Sequence, residues 1–343
     1  MNNLGCSFLE QGINFDLNKV TDCCIMHNDG RGLPILIEDY HGEPIDWNKI
    51  FEIKAKRIAE QKEKTIYDCE GCYHMGDFEF TDTRKISEFH FSQCRVCNAK
   101  CVYCSEENYG LTLNYSPYPV VKDLIEKGFY KAGGEATFQG GEPLVMPNFD
   151  ELVALLLEKG TSIRVHSSAI KFSDPVYEAL KQNKGVVVTS LDSGCSETYK
   201  KIKRTDKFNE VVENLKKYIF ANDEKVVIKY LIVPGYNDNI AEIDKFMALM
   251  KQLNVKKLAL DIEVKYAMKY NNKDVSDHIF MLIDYFNIEA KKLGMHVQVY
   301  SFLSYVIKNR TLPVVDKIEN KFIYGIKMFF KNNKGKNLKY IKN

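Results

Sequence analysis

The sequence predicts an α/β fold, a partial (β/α)6-type TIM barrel with a small module before it and a basic helical extension after it. Three observations support this class: strand-like runs recur along the chain, helical patterns separate them, and most runs are dense in β-branched or aromatic residues, as buried parallel strands are. The runs cover residues 85–92, 135–139, 162–167, 185–192, 225–233, 257–264 and 295–302.

Alternation of strands and helices at this spacing predicts a parallel sheet with right-handed crossovers. Six or seven such units make a full or partial barrel, and a doubly wound open sheet is the alternative. Among the helices, the segment SDPVYEALKQNKG offers Asp174 as its N-cap and Gly185 as its stop signal. The segment NIAEIDKFMALMKQL begins with Asn239 at an N-cap position.

The first 84 residues do not show this alternation of strands and helices. GINFDLNKVTDCC predicts two short strands joined by a turn, and IDWNKIFEIKAKRIAEQKEK predicts an amphipathic helix. We therefore predict three parts: a module at 1–84, a barrel at 85–304 and an extension at 305–343.

Charge is unevenly distributed along the chain. The segment 305–343 carries a formal charge of +8, so the remainder of this 343-residue chain, whose net charge is +2, carries −6. An acidic body disfavours nucleic acid as a partner, and nucleic-acid modification stays a weaker alternative. The N-terminus lacks the layout of a secretory signal and no apolar run reaches membrane-spanning length, so we expect a cytoplasmic protein.

Cysteine is the most informative residue type. Nine of the ten cysteines lie in the first 104 residues, and four of them fall in CRVCNAKCVYC at 94–104. Clustered thiols in a cytoplasmic chain indicate metal binding rather than disulfides. Three thiolates at Cys97, Cys101 and Cys104 could hold three irons of a [4Fe–4S] cube and leave the fourth iron open. A zinc site closed by Cys94 or a nearby histidine is the alternative.

CNAKCVYC resembles the CxxxCxxC signature of the radical SAM superfamily, and FQGGEPLV at 138–145 resembles the GGEP motif of that family at the end of the second strand-like run. The resemblance covers about residues 85–300. It implies a [4Fe–4S] cluster on Cys97, Cys101 and Cys104 that binds S-adenosylmethionine (SAM) and cleaves it to a 5′-deoxyadenosyl radical, which abstracts a substrate hydrogen. Cys94 is then the surplus thiol.

The same resemblance implies roles for further residues, position by position. The methionine amino group of SAM would be faced by the GGEP residues Gly140, Gly141, Glu142 and Pro143. The adenine of SAM would lie near Tyr103. Ser167 and Ser168 match the ribose-contacting turn, or they cap a helix. Ser190 and Asp192 would point into the mouth of the barrel, with helix capping as the alternative for Asp192. Arg204 or Lys229 would pair with the SAM carboxylate, although Arg204 also fits a solvated helix charge. The stretch around Val233 would meet the adenine.

The N-terminal cysteines resemble those of the SPASM or twitch modules of radical SAM enzymes, although such modules usually follow the barrel. This resemblance implies an auxiliary [4Fe–4S] cluster on Cys6, Cys23, Cys69 and Cys72, with Cys24 spare or exchanged with Cys23. A structural zinc site is the alternative.

We therefore predict a radical SAM oxidoreductase or epimerase-type enzyme that uses a low-potential donor such as flavodoxin or ferredoxin. Cys195 follows the fourth strand, where a thiol could return a hydrogen atom to a substrate radical, or it is simply a small residue at a helix start. The predicted substrate is either a sugar or glycan precursor or, as the main alternative, a peptide. The basic tail suggests peripheral membrane contact, an acidic partner or a solvated helix. A non-catalytic iron–sulfur carrier or a zinc-stabilised binding protein is the alternative class.

Overall fold

The computed structural model describes residues 4–23, 35–63, 76–81, 83–104, 115–263, 276–299 and 303. The strands are β1 Leu4–Gly5, β2 Gly12–Asp16, β3 Lys19–Thr21, β4 Ile35–Ile37, β5 Gly76–Asp77, β6 Glu88–Phe91, β7 Glu135–Phe138, β8 Ser162–His166, β9 Gly185–Ser190, β10 Val226–Ile232, β11 Lys257–Ile262 and β12 His296–Val299. The helices are α1 Ser7–Gln11, α2 Trp47–Lys62, α3 Tyr118–Glu126, α4 Phe149–Glu158, α5 Asp174–Lys181, α6 Ser196–Lys203, α7 Phe208–Ala221, α8 Ile240–Gln252 and α9 Asp277–Lys292.

A ten-stranded sheet with the order β12-β11-β10-β9-β8-β7-β6-β2-β3-β4 forms the centre of the fold. Strands β6 to β12 are all parallel and neighbour one another in chain order, as successive right-handed crossovers require. This order confirms the α/β prediction of a partial TIM-barrel-type sheet, because an open doubly wound sheet would reverse its strand order partway.

The N-terminal strands extend this same sheet. β2 pairs in parallel with β6, from Gly12 opposite Glu88 to Phe15 opposite Phe91, and β3 and β4 follow as an antiparallel edge. The predicted turn joins β2 to β3. Division of the chain at residue 84 stays a prediction.

The two faces of the sheet differ in chemistry. On β10, Tyr230 points outward and its ring lies 4.8 Å from that of Phe246 on α8, whereas Lys229 points to the opposite face. We call that opposite face, which carries the side chains of Arg164, Val188 and Lys229, the inner face. Alternation along each strand keeps the outer face apolar under the helices and leaves polar groups inside.

Helix α5 begins and ends at residues that differ from those predicted. The N-cap of α5 is Ser173, whose Oγ accepts the backbone N–H of Val176, and Asp174 is already the first helical residue. The left-handed residue after the helix is Asn183 at φ 58°, so Gly185 begins β9 instead of ending α5. Asn239 caps α8 as predicted, by accepting the N–H of Glu242.

Buried ion pairs join α2 to the residue that follows β3. Lys54 lies 2.7 Å from Asp22, and both side chains are almost wholly buried, while Arg57 binds the second carboxylate oxygen at 2.8 Å. The indole of Trp47 donates to Asp123 on α3. Within the part of the chain that the structure describes, no helix is both long and apolar enough to cross a bilayer. The basic tail lies outside the described residues, so its membrane contact stays a prediction.

Candidate functional site

Three thiols lie on the loop that follows β6. Cys97, Cys101 and Cys104 are half-buried. Burial, and after it the charges of Glu142, Cys101 and Cys104, raise the pKa of the Cys97 thiol to about 11, so these side chains are electrostatic neighbours. Three adjacent thiols are the donor set that iron–sulfur clusters use.

The zinc alternative for the cysteine loop stays a prediction. Within the described ranges, no three histidine, cysteine or acidic side chains converge closely enough to hold one metal ion. Cys94 is turned away: its buried thiol donates to the backbone oxygens of Val96 at 3.5 Å and Glu142 at 3.4 Å. Cys94 therefore packs as a small core residue, in keeping with its surplus place in the motif.

The GGEP segment is hydrogen-bonded directly to the cysteine loop. The N–H of Gly141 donates to the oxygen of Cys94 at 2.6 Å, and the N–H of Glu142 donates to that of Val96 at 2.8 Å. Two glycines are required here because a Cβ on Gly140, at φ +108°, would lie 2.6 Å from the oxygen of Cys94, and one on Gly141 would lie 2.3 Å from that of Val96. The two motifs form one backbone junction, which we call the cysteine–GGEP junction.

We expect Gly141→Ala to disrupt this junction, because a methyl group cannot occupy a position 2.3 Å from a carbonyl oxygen without moving the loop. Anaerobically reconstituted Gly141→Ala protein should bind markedly less iron than the wild type, as measured by iron analysis and ultraviolet–visible absorbance. Gly76→Ala is the matched control, since a Cβ there meets nothing within 4 Å. Equal iron content in both variants would contradict the expectation.

Glu142 ties the junction to the end of β8. Its buried carboxylate accepts the hydroxyl of Ser167 at 2.8 Å and the backbone N–H of Ser168 at 2.6 Å. Burial raises the pKa of Glu142, and these hydrogen bonds partly offset that rise. Ser168 reaches back to Asn98 on the cysteine loop at 3.0 Å. Because Ser173 caps α5, the capping alternative for Ser167 and Ser168 is not what the structure has.

A polar triad lies beside the cysteine loop, in which Asp192 and Lys203 are buried and Tyr103 is half-buried. The hydroxyl of Tyr103 donates to Asp192 at 2.7 Å, and the ammonium of Lys203 lies 2.5 Å from both the Tyr103 oxygen and the Asp192 carboxylate. Burial and the Asp192 charge raise the pKa of Tyr103 well above its usual range. Burial opposes the charged form of Lys203, yet the Asp192 charge outweighs it and raises the pKa of Lys203. The triad therefore holds an ammonium and a carboxylate next to Cys101.

Sequence reasoning missed Lys203 and selected its neighbour. Arg204 is exposed in the left-handed conformation at φ 54° that ends α6, so its side chain leaves the site. Lys203 lies on the buried face of α6, four residues after Tyr199 and one residue after Ile202. The helical spacing of these two apolar residues was the sequence signal that Lys203 faces inward. The assignment of Arg204 to the SAM carboxylate stays a prediction. The exposed position of Arg204 favours Lys203 as the cation that faces the site.

Asp192 also organises the segment 231–238. Its second carboxylate oxygen accepts the N–H of Leu231 at 2.8 Å, and its backbone oxygen accepts the amide of Asn237 at 2.9 Å. The Asn237 side-chain oxygen in turn accepts the N–H of Val233 at 2.7 Å. Asp192 adopts φ 60° and forms no helix cap, since α6 begins after Cys195. The capping alternative for Asp192 is therefore wrong.

The remaining predicted residues are spread around the triad. Ser190 ends β9 opposite Lys229 of β10, and Lys229 pairs with Asp261 at 2.9 Å. The half-buried Cys195 thiol contacts the hydroxyl of Thr198 at 3.6 Å.

The N-terminal thiols are only partly described. Cys6 precedes α1 and is buried, and the Cys23 oxygen accepts the hydroxyl of Thr21. Cys24, Cys69 and Cys72 lie outside the described residues, so the auxiliary site stays a prediction.

Comparisons with known proteins show which family and which relatives this chain resembles. A family model described as the Radical SAM superfamily matches residues 92–250. A GTP 3',8-cyclase of Clostridium botulinum is 29% identical over 175 residues, which are 49% of this chain and 54% of that protein, so the match spans about half the length of that relative. The pyruvate formate-lyase-activating enzyme of Staphylococcus aureus is 27% identical over 177 residues, 48% of this chain and 70% of that protein.

The fold is similar to that of a solved structure with a bound peptide. Streptococcus suis SuiB, in a crystal structure with its precursor peptide SuiA, matches with a TM-score of 0.51 at 14% identity, over 81% of this chain and 60% of that chain. At that identity the likeness concerns the fold alone.

Proposed function

We propose, from the match of residues 92–250 to the Radical SAM superfamily model, that the chain is a radical SAM enzyme that cleaves SAM reductively and abstracts a hydrogen atom from a substrate. This family implies a [4Fe–4S] cluster and SAM. When bound, these groups supply an electron and a carbon-centred radical. The protein supplies ligands, orientation and exclusion of water.

The cysteine–GGEP junction is the observation that carries the proposal. Cys97, Cys101 and Cys104 would hold the cluster, and the backbone of Gly140 to Pro143 would lie against the methionine end of SAM because it is already bonded to the cysteine loop. Ser167 and Ser168 would contact the ribose from the end of β8, and the segment around Val233, held by Asn237, would meet the adenine.

Lys203 is our candidate for the SAM carboxylate, in preference to Arg204 and Lys229. It is the buried ammonium beside Cys101, and it keeps N–H donors beyond those that Asp192 and Tyr103 accept. The phenol hydroxyl of Tyr103 is engaged with this ammonium and with the Asp192 carboxylate, so contact with SAM would fall to its ring.

The proposed reaction needs an electron donor and a substrate, which we name by chemical class. Radical SAM enzymes use a reductant, and flavodoxin or ferredoxin is our candidate donor. An auxiliary [4Fe–4S] cluster on Cys6, Cys23, Cys69 and Cys72 would exchange electrons with the substrate. Oxidation or epimerisation of a sugar, glycan precursor or peptide is our candidate reaction, with Cys195 as the hydrogen donor in the case of epimerisation. SuiB, which shares the fold, is described with a precursor peptide.

Anaerobic reconstitution tests the proposal. Protein treated with dithionite and SAM should release 5′-deoxyadenosine, detected by liquid chromatography with mass spectrometry. Cluster occupancy of roughly four irons per chain indicates one cluster, and roughly eight indicates two. An iron-loaded protein that releases no 5′-deoxyadenosine would instead favour a non-catalytic electron carrier, and a zinc-loaded protein would favour a binding module.

A further inference from the structure

The last residue of β8, His166, lies next to the proposed SAM site and is not used by it. Alternate residues of a strand share a face, so His166 lies on the inner face with Arg164, while Val165 packs into the core. His166 is half-buried and sits one residue before Ser167, which binds Glu142. The imidazole therefore borders the inner face directly beside the cysteine–GGEP junction.

An apolar floor lies next to His166 on the same face. Val188 of β9 pairs with His166, and it forms a small cluster with Val227 of β10 and Ala259 of β11, against which Val186 packs. This cluster is separate from the main core under the helices. Small branched side chains at this position offer a shallow apolar surface, the usual base of a small-molecule site.

Ion pairs flank the floor on both sides. Arg164 lies 3.1 Å from Glu135 of β7, and Lys229 lies 2.9 Å from Asp261 of β11. Each cation is thus matched by a carboxylate across neighbouring strands. Within each pair the two charges offset one another, and the pair presents hydrogen-bond donors and acceptors, which suits hydroxyl groups better than an anion or a cation.

His166 completes the face as a neutral group. Among the described residues neither ring nitrogen has a hydrogen-bond partner. Burial, and then the positive charges of Arg164 and Lys229, lower the pKa of His166 to about 4, and Glu135 opposes this shift only partly. Asp261 is occupied by Lys229. A neutral imidazole offers one donor and one acceptor nitrogen.

We propose that the inner face bordered by His166, Arg164 and Lys229 binds an uncharged hydroxylated ring, such as a sugar, and that His166 accepts a hydrogen bond from one of its hydroxyls. The C–H face of the ring packs on Val188 and Val227. This inference rests on the proposed function, because the face would present the substrate to the SAM site. It favours the sugar class over the peptide class.

Carbethoxylation by diethyl pyrocarbonate tests the proposal, since this reagent reacts with an imidazole only when the ring is neutral and accessible. The cluster-loaded protein without SAM is labelled anaerobically, and the His166 peptide is quantified by mass spectrometry, with His166→Gln protein confirming the assignment. Labelling at about pH 5.5 should be as fast as at about pH 7.5, once normalised to reagent stability. An ordinary histidine, such as free N-acetylhistidine, should slow ~10-fold over that range.

Protection from labelling identifies the ligand class. Methyl β-D-glucopyranoside should slow the labelling of His166 in a saturable way, whereas inorganic phosphate and triglycine should not. Protection by phosphate or triglycine instead, or by none of the three probes, would overturn the proposed class, and a ~10-fold fall in rate at about pH 5.5 would overturn the neutral imidazole. Labelling does not depend on SAM cleavage, so release of 5′-deoxyadenosine tests the proposed function separately.

Discussion

Replacing Cys101 with alanine is expected to remove one [4Fe–4S] cluster and to abolish SAM cleavage. Three cysteines from this loop are all the protein ligands that the proposed cluster has, so loss of one leaves two irons without a protein ligand. Iron analysis of anaerobically purified Cys101→Ala protein should fall by roughly four irons per chain, and 5′-deoxyadenosine should be undetectable. Cys97→Ala and Cys104→Ala should behave in the same way.

Cys94→Ala is the matched control, because it lies in the same loop and contains the same functional group. Its thiol donates only to the backbone oxygens of Val96 and Glu142. Alanine at this position should therefore leave iron content and SAM cleavage near wild-type levels. If the Cys94 variant lost iron and the Cys101 variant kept it, the assignment of the cluster ligands would be wrong. That result would also favour the alternative of a zinc site that includes Cys94.

The barrel was predictable because each strand has a strong local signal. Val226–Ile232 and Lys257–Ile262 consist mostly of residues that favour buried strands, and the residues between them fit a helix of ordinary length. Parallel order then follows from the handedness of crossovers. The pairing of β2 with β6 was not predictable in this way, because 71 residues separate Asp16 from Glu88 and no local pattern records which sheet edge a hairpin meets.

The site was predictable where spacing along the chain carries the chemistry. The cysteine loop and GGEP could be identified because their residues lie a few positions apart. The triad could not, because Tyr103, Asp192 and Lys203 come from three separate elements and meet only in the fold. The spacing of Tyr199 and Ile202 indicated the buried face that Lys203 shares, but the sequence KKIKR does not determine that α6 ends at Lys203 with Arg204 in the left-handed conformation.

Replacing Lys203 with methionine is expected to have the second large effect, on both stability and SAM binding. Asp192 is fully buried, and Lys203 is the cation that compensates its charge. Removing one partner of a buried ion pair typically costs ~3–5 kcal/mol, because the other charge is left without compensation in a medium of low polarity. The free energy of unfolding, measured by denaturant titration, should fall by an amount in that range.

Arg204→Met is the matched control, since it removes a cation one residue away whose side chain is exposed; surface changes of this kind are usually within ~0.5 kcal/mol. The double variant Lys203→Met/Asp192→Asn separates the two roles of Lys203. Neutralising Asp192 should restore much of the lost stability, because no uncompensated charge remains. SAM affinity, measured by equilibrium dialysis of the cluster-loaded protein, should stay low in the double variant if the ammonium binds the SAM carboxylate. Recovery of both properties would mean that Lys203 serves only to neutralise Asp192.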